Sequence, residues 1–130
     1  MKSLLVEDEF TSRLILQKIL SEHGQCDIAV NGKEAVFAFK MALSDGGPYD
    51  IVCMDIMMPE MDGREAVKQI RDIEKESGIN PVREVKIIMT TGDRNIHSVT
   101  GSLKDGATSY IVKPIEKKKI TEELKEFGLV

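Results

Sequence analysis

The sequence predicts an α/β protein built on a doubly wound parallel sheet of five strands. Short apolar runs alternate along the chain with longer segments in which apolar residues recur at helical spacing. The short runs are apolar at successive positions, as in Ile51-Val52-Cys53-Met54, which is typical of strands covered by helices on both faces. Alternating strands and helices of this kind favour a single parallel sheet between two helical layers.

The strands are predicted where apolar runs lie between turn residues. They cover Ser3 to Val6, Asp27 to Val30, Ile51 to Met54, Lys86 to Thr90, and Ser109 to Val112. Glycine and proline mark the loops between elements: Asn31-Gly32, Ser44 to Tyr49, and Ser77 to Arg83.

Helices are predicted in the segments between and after these strands. Their apolar positions are Leu16, Ile19 and Leu20; Ala35, Val36, Phe39, Ala42 and Leu43; Ala66, Val67, Ile70 and Ile73; and, in the last helix, Ile120, Leu124 and Phe127. A further helix is predicted from about Ile96 to Lys104, where serine, threonine and glycine are indifferent helix formers. Five helices therefore alternate with five strands.

Length and charge limit the possible functions. The chain has 130 residues, which fits one domain spanning residues 1–130. Its formal net charge is −4 because 22 acidic residues outnumber 18 basic ones. Nucleic acid and anionic membranes are therefore not expected as partners. Cys26 and Cys53 lack a metal-binding or redox spacing and are expected to be reduced, which indicates a cytoplasmic protein.

Polar residues follow the predicted strands where ligands bind in parallel sheets. Glu7-Asp8-Glu9 follow the first strand, Asp55 the third, Thr90-Thr91-Gly92 end the fourth, and Lys113-Pro114 follow the fifth. In an open parallel sheet the carboxyl ends of the strands share one rim, and ligands bind in the crevice beyond it. We therefore expect carboxylates, a hydroxyl and an ammonium group to converge there.

These residue types together indicate phosphoryl chemistry assisted by a metal. Neighbouring carboxylates repel each other unless a cation or protons enter, and Mg²⁺ is the physiological cation that prefers oxygen ligands. Asp55 can then act as a nucleophile and form an aspartyl phosphate. Lys113 is expected to pair with one phosphoryl oxygen, and Thr91 to donate a hydrogen bond to another.

Several motifs in this order resemble the receiver domain of bacterial two-component response regulators, especially single-domain, chemotaxis-regulator-like members. The motifs are Leu5-Val6-Glu7-Asp8-Glu9, Met54-Asp55-Ile56-Met57-Met58-Pro59-Glu60-Met61-Asp62-Gly63, Met89-Thr90-Thr91-Gly92, Gly106-Ala107 and Tyr110-Ile111-Val112-Lys113-Pro114. The resemblance runs from Ser3 to the C-terminus. It implies a flavodoxin-like (βα)5 fold with strand order 2-1-3-4-5.

The resemblance also implies a role for each matched residue. Asp55 matches the phosphoacceptor, Asp8 a metal ligand, and Glu7 its partner, which holds a metal-bound water. Met57 is implied to contribute its backbone carbonyl to the metal. Thr91 matches the hydroxyl of the family's phosphorylation switch. Tyr110 matches the switch aromatic, and Lys113-Pro114 matches the family's lysine with its cis peptide.

The chain departs from the family pattern at two places. Glu7 stands where an aspartate is often found, which adds one methylene group. The span from Asp55 to Thr91 is 36 residues (91 − 55), longer than is usual, and the excess lies around Ser77 to Arg83. We expect that loop to be a partner-specific surface.

The resemblance implies a signalling function rather than turnover of external metabolites. The expected phosphoryl donor is a phosphohistidine on a sensor histidine kinase or a histidine phosphotransfer protein, docking near the first helix and the Lys113-Pro114 loop. The downstream partner is an unidentified protein. The chain is either a separate regulator or a segment of a longer hybrid kinase.

The sequence disfavours two other functions of similar folds, and also an EF-hand. A haloacid-dehalogenase-like phosphatase needs a second acid two residues after the nucleophile, and Met57 stands there instead. A flavodoxin-like FMN carrier needs a hydroxyl- and glycine-rich phosphate loop after the first strand, where Glu7-Asp8-Glu9 would repel a phosphate in the absence of a metal. An EF-hand starting at Asp55 fails because its twelfth position is Ala66.

Overall fold

A computed structural model describes residues 1–58, 60–92 and 106–130. Its strands are β1 (Ser3–Val6), β2 (Cys26–Ala29), β3 (Ile51–Asp55), β4 (Lys86–Thr91) and β5 (Ser109–Val112). Its helices are α1 (Phe10–Ser21), α2 (Gly32–Ser44), α3 (Gly63–Glu76) and α4 (Lys117–Glu126), with a 3₁₀ turn at Pro81–Arg83. The helix expected at Ile96 to Lys104 lies outside the described residues.

All five strands form one parallel sheet in the order β2-β1-β3-β4-β5, which confirms the predicted fold. The predicted boundaries of β1 and β5 are correct. Both β3 and β4 run one residue further than predicted, because Asp55 pairs with Thr90 and Thr91 pairs with Val112. The second strand lies one residue earlier than predicted.

Two apolar layers hold the helices against the sheet. Alternate strand residues point to opposite faces, so Leu4, Val52 and Ile87 pack on the side of α2 and α3. Leu5, Cys53 and Ile88 pack on the other side, with residues of α1 and α4. Among residues 1–58, 60–92 and 106–130, no helix is long and apolar enough to span a membrane.

Side chains at the starts of three helices satisfy backbone groups that the helices themselves leave unpaired. The N-caps of α1, α2 and α3 are Glu9, Asn31 and Asp62. The Glu9 side chain accepts hydrogen bonds from the amides of Thr11 and Ser12. Asn31 accepts the amide of Glu34, and Asp62 accepts the amide of Glu65. Each cap lies a few residues after a strand. The helices thus begin close to the carboxyl edge of the sheet.

An ion pair between the partly exposed Arg71 and the buried Glu74 joins α3 to the amino edge of the sheet. The Arg71 guanidinium donates hydrogen bonds to Glu74 at 2.7 Å, to the Val85 carbonyl at 2.8 Å and to the Gly106 carbonyl at 2.9 Å. The second carboxylate oxygen of Glu74 accepts the Val85 amide at 2.7 Å. Because Val85 precedes β4 and Gly106 precedes β5, this pair links α3 to the entry of both strands.

Candidate functional site

Three carboxylates meet at the carboxyl edge of the sheet. Glu7 and Asp8 directly follow β1, and Asp55 is the last residue of the adjacent strand β3. One oxygen from each of the three side chains lies within 4.8 Å of the others. Glu7 and Asp55 are buried, whereas Asp8 is exposed to solvent. The parallel order of β1 and β3 therefore brings together the acidic residues that the sequence singles out.

Lys113 carries a positive charge into this cluster from the end of β5. Its ammonium Nζ lies 3.0 Å from Glu7 Oε1 and 3.3 Å from Asp55 Oδ2. The Lys113 amide donates to the Thr91 carbonyl at 2.6 Å, which ties the residue to the end of β4. The Lys113–Pro114 peptide bond is cis, as the resemblance implies. One lysine thus bridges carboxylates from two strands.

Burial controls the electrostatics of Glu7. Loss of solvent raises the pKa of this carboxyl from 4.5 to about 7, with the Asp55 charge also raising it and the Lys113 ammonium lowering it. Burial on its own lowers the pKa of Lys113, but hydrogen bonding to Glu7 and the charge of Asp55 raise it overall. Glu7 Oε2 is buried and has no hydrogen-bond partner among the described residues.

The donor set of this cluster fits a divalent metal ion. All three side chains offer hard oxygen atoms, which are the ligands that Mg²⁺ prefers. When ionised, the three carboxylates outweigh the single ammonium of Lys113, which leaves excess negative charge. Glu7 Oε2 has no hydrogen-bond partner among the described residues, so its lone pairs are available to a metal ion. Glu7, Asp8 and Asp55 are therefore the residues that can hold a cation here.

The other predicted site residues lie around this cluster. The Met57 amide donates to Asp55 Oδ1 at 3.2 Å, while the Met57 side chain is exposed. Thr91 is fully buried at the end of β4, next to the backbone of Lys113. Tyr110 lies on β5 with 37% of its surface exposed. Met57 thus follows the same strand as Asp55, and Thr91 ends the neighbouring strand β4.

Two residues near the cluster, Arg13 and Gly63, received no role from the sequence, in which Gly63 only ends the motif around Asp55. Arg13 of α1 donates to the carbonyl oxygens of Glu7 at 3.2 Å and Asp8 at 3.4 Å, and it holds the backbone of the acidic pair. A β-carbon at Gly63, the first residue of α3, would overlap the carbonyl oxygen of Asp55. The sequence carries a signal only for Gly63, because a glycine directly after a capping aspartate suggests a close approach.

Glu9, the third acidic residue in the run after β1, does not belong to the carboxylate cluster. Its side chain accepts the amides of Thr11 and Ser12, and these hydrogen bonds lower the pKa of the Glu9 carboxyl to about 2. The negative charge also faces the positive end of α1. The three acidic residues after β1 therefore have two roles: Glu9 caps α1, whereas Glu7 and Asp8 belong to the carboxylate cluster.

The fold and the site define a class of protein: a five-stranded parallel α/β domain with a lysine-bridged carboxylate cluster at the carboxyl edge of its sheet. The family model for the response regulator receiver domain matches residues 4–125. The chain belongs to this family, which confirms the resemblance seen in its motifs.

Curated relatives include both short and very long proteins. The chemotaxis protein CheY of Treponema pallidum is 38% identical over 93% of this chain and 78% of that protein. Hybrid signal transduction histidine kinase B of Dictyostelium discoideum is also 38% identical, over 88% of this chain. The chain spans only 6% of the length of that kinase.

Solved structures of receiver domains share the same architecture. The complex of the yeast phosphotransfer protein Ypd1 with the receiver domain of Ssk1, from Saccharomyces cerevisiae, matches with a TM-score of 0.84 and 31% identity, covering 98% of this chain and 88% of that one. The CheX–CheY–BeF3–Mg²⁺ complex from Borrelia burgdorferi matches with a TM-score of 0.82 and 28% identity, covering 98% and 89%.

Proposed function

We propose that Asp55 accepts a phosphoryl group from a phosphohistidine and that the phosphorylated domain changes its affinity for a protein partner. The observation that carries this proposal is the position of Asp55, whose Oδ2 lies 3.3 Å from the Lys113 ammonium beside two further carboxylates. An isolated aspartate after a strand would be an ordinary turn residue. The chain as a domain spanning residues 1–130 is part of the same proposal.

The reaction transfers the phosphoryl group between two side chains. An Asp55 oxygen attacks phosphorus, the P–N bond to the donor imidazole breaks, and the nitrogen keeps the bonding pair and takes up a proton. The Lys113 ammonium offsets negative charge on the phosphoryl oxygens, and its two present contacts hold it in reach of Asp55. The domain catalyses only its own phosphorylation and dephosphorylation.

We assign the metal ligands to the carboxylate cluster. Glu7, Asp8 and Asp55 would hold Mg²⁺ together with the backbone carbonyl of Met57, in line with the Mg²⁺ in the complex of the Borrelia relative. A bound Mg²⁺ supplies positive charge that offsets the charge of the transferring group. Glu7 would act mainly through a metal-bound water, with its Oε1 accepting the hydrogen bond from Lys113.

Thr91 and Tyr110 are proposed to convert phosphorylation into a change of surface. Thr91 is fully buried and its hydroxyl turns toward the phosphoryl group, while the partly exposed Tyr110 ring repacks on β5. Binding of the phosphoryl group to one of two conformations shifts their populations. The chain contains two tyrosines and no tryptophan, so in a Tyr49→Phe variant the fluorescence of Tyr110 reports this step.

The donor is proposed to dock on α1, close to the carboxylate cluster. Three apolar side chains of this helix are exposed: Phe10 by 67%, Leu14 by 47% and Ile15 by 43%. Exposed apolar groups that adjoin a reactive site are typical of protein contacts. The receiver domain of Ssk1, which is 31% identical to this chain, forms a complex with a phosphotransfer protein. The cytoplasmic location stays a prediction of the sequence.

The first experiment measures phosphorylation of Asp55 by intact mass. The native chain is incubated with Mg²⁺ and phosphoramidate, with EDTA as the metal control. We expect a single phosphoryl adduct that requires Mg²⁺, is absent in Asp55→Asn and persists in Asp50→Asn, which changes the residue preceding the same strand. An adduct on Asp55→Asn, or none on the folded native chain, would refute the proposal.

A second experiment separates docking from chemistry. Leu14→Glu is expected to slow transfer from a phosphorylated histidine phosphotransfer protein at least tenfold, because it places a charge on the proposed apolar surface. The rate with phosphoramidate should stay unchanged. Phe37→Glu, which alters an even more exposed apolar residue on α2 (67% against 47% for Leu14), is the control and should transfer normally. Equal slowing by both variants would remove α1 as the docking surface.

A further inference from the structure

Arg13 of α1 bridges the backbone of the two acidic residues that follow β1. Its guanidinium Nη1 donates to the Glu7 carbonyl oxygen at 3.2 Å and to the Asp8 carbonyl oxygen at 3.4 Å. Helical side chains point back toward the N-terminus of their helix, so a long side chain in the first turn of α1 reaches the segment that enters the helix. One nitrogen atom thus joins two consecutive peptide groups beside the carboxylate cluster.

The guanidinium contacts carbonyl oxygens although three carboxylates lie in the same segment. Within the part of the chain that the structure describes, Arg13 forms no ion pair. The guanidinium also lies over the Phe10 ring, with 5.7 Å from its central carbon to the ring centroid. A side chain that only balanced charge would meet a carboxylate, whereas this one is held against the backbone.

The three carboxylates of the cluster are fixed to different degrees. Glu7 and Asp55 are buried, and both accept hydrogen bonds from the Lys113 ammonium. The Asp8 side chain is exposed, and it accepts no hydrogen bond among the residues that the structure describes. The direction of the Asp8 carboxylate therefore depends on the Asp8 backbone, which Arg13 holds at its carbonyl oxygen.

Arg13 affects cation binding in two ways that have opposite signs. Its positive charge repels Mg²⁺, so removal of the charge alone would tighten binding. Its hydrogen bonds restrict the backbone of Asp8, so removal of these bonds would leave the carboxylate to be ordered when the ion binds, which weakens binding. The sign of the change in Mg²⁺ affinity therefore tells which effect dominates.

We propose that Arg13 is a positioning residue, which preorganises the Asp8 carboxylate for Mg²⁺ by binding the carbonyl oxygens of Glu7 and Asp8. This role rests on the metal site assigned under the proposed function. Arg13 acts through the backbone and not on the reacting atoms. It therefore sets the Mg²⁺ concentration that Asp55 phosphorylation requires, and not the rate once Mg²⁺ saturates the site.

Mg²⁺ titrations followed by amide chemical shifts test this role without a phosphoryl donor. Arg13→Met removes the N–H donors and the charge but keeps a long unbranched side chain. It should weaken Mg²⁺ binding roughly fivefold, the loss expected for about one hydrogen bond. Arg13→Lys keeps an N–H donor and should recover most of the affinity. Lys18→Met removes an exposed cation from the last turn of the same helix and should leave the affinity unchanged.

The Mg²⁺ dependence of phosphorylation by phosphoramidate supplies a second measurement. In Arg13→Met the Mg²⁺ concentration that gives half the maximal rate should rise by the same factor, while the rate at saturating Mg²⁺ stays at the native value. A general loss of stability would not divide the two quantities in this way.

Tighter or unchanged Mg²⁺ binding in Arg13→Met, or an equal loss in Arg13→Lys, would overturn the positioning role. If the native chain binds no Mg²⁺, the metal site and this role fall together. If the variants change Mg²⁺ binding as expected but Asp55 stays unphosphorylated, the positioning role stands and only the proposed phosphoryl transfer falls.

Discussion

Replacing Glu7 by glutamine tests how burial controls the carboxylate cluster. The Glu7 carboxyl has no solvent exposure, and burial raises its pKa from 4.5 to about 7. Glutamine has nearly the same shape and is neutral at every pH. The Glu7→Gln variant therefore mimics the protonated form of the native side chain, and comparing the two proteins isolates the cost of ionising Glu7 in the fold.

The expected magnitude follows from the two pKa values. Between pH 4.5 and 7 the folded chain binds this proton more tightly than the unfolded chain does, so the stability of the native protein falls as the pH rises. Each pKa unit is worth about 1.4 kcal/mol, and the rise from 4.5 to about 7 therefore costs about 3 kcal/mol by pH 8. The raised pKa of Lys113 gives a stabilisation that is fully present below 10.5 and is lost only as the pH rises above that value, so it stays constant across this range.

Urea unfolding in EDTA between pH 4.5 and 8.5 measures this difference. The free energy of unfolding of Glu7→Gln minus that of the native chain should increase by about 3 kcal/mol across the range and level off above pH 8. Glu9→Gln is the control, since the lowered pKa of Glu9 gives a stabilisation that is lost only as the pH falls from 4.5 toward 2. Its difference should stay constant above pH 5. A constant difference for Glu7→Gln would refute the reasoning.

Three further substitutions are expected to change stability, as measured by urea unfolding. Gly63→Ala should lower the free energy of unfolding by about 2–3 kcal/mol, because the added β-carbon overlaps the Asp55 carbonyl; a neutral result would mean that α3 shifts freely. Thr90→Val should raise it by about 1 kcal/mol, since the buried Thr90 hydroxyl has no partner among the described residues; a loss of stability would show that this hydroxyl is bonded. Arg71→Leu should cost about 3–5 kcal/mol, because it leaves the Glu74 carboxylate buried without its cationic partner. The double variant Arg71→Leu/Glu74→Leu should recover part of that loss, and additive losses would argue against the pair.

The sequence was sufficient to predict the fold and the composition of the carboxylate cluster. Apolar runs bounded by turns located all five strands, and the parallel sheet required the residues after them to share an edge. Glu7, Asp8 and Asp55 do meet there. Strand ends were less accurate, because the pairing of Asp55 with Thr90 depends on the neighbouring strand rather than on local pattern.

Contacts made by long side chains could not be predicted in the same way. Arg13 and Arg71 each donate to backbone carbonyl oxygens that are distant or unremarkable in sequence, and such bonds leave no residue pattern to detect. The excess length of the connection from Ser77 to Arg83 was visible, but the cavity that Ile79 and Val82 of this connection line at the amino edge of the sheet also depends on Phe39 and Tyr49, which lie elsewhere in the chain. Both features arise only when the chain is packed.

Two cationic side chains, Arg71 and Lys113, hold the two ends of β5 and oppose its separation from the sheet. A four-residue strand at an edge offers few ladder bonds and is where fraying ordinarily begins. Arg71 holds the chain just before β5 through the Gly106 carbonyl, and Lys113 holds the chain just after it against Glu7 and Asp55. Exchange of β5 between copies must first release both ends, so each of these side chains also protects the molecule against strand exchange.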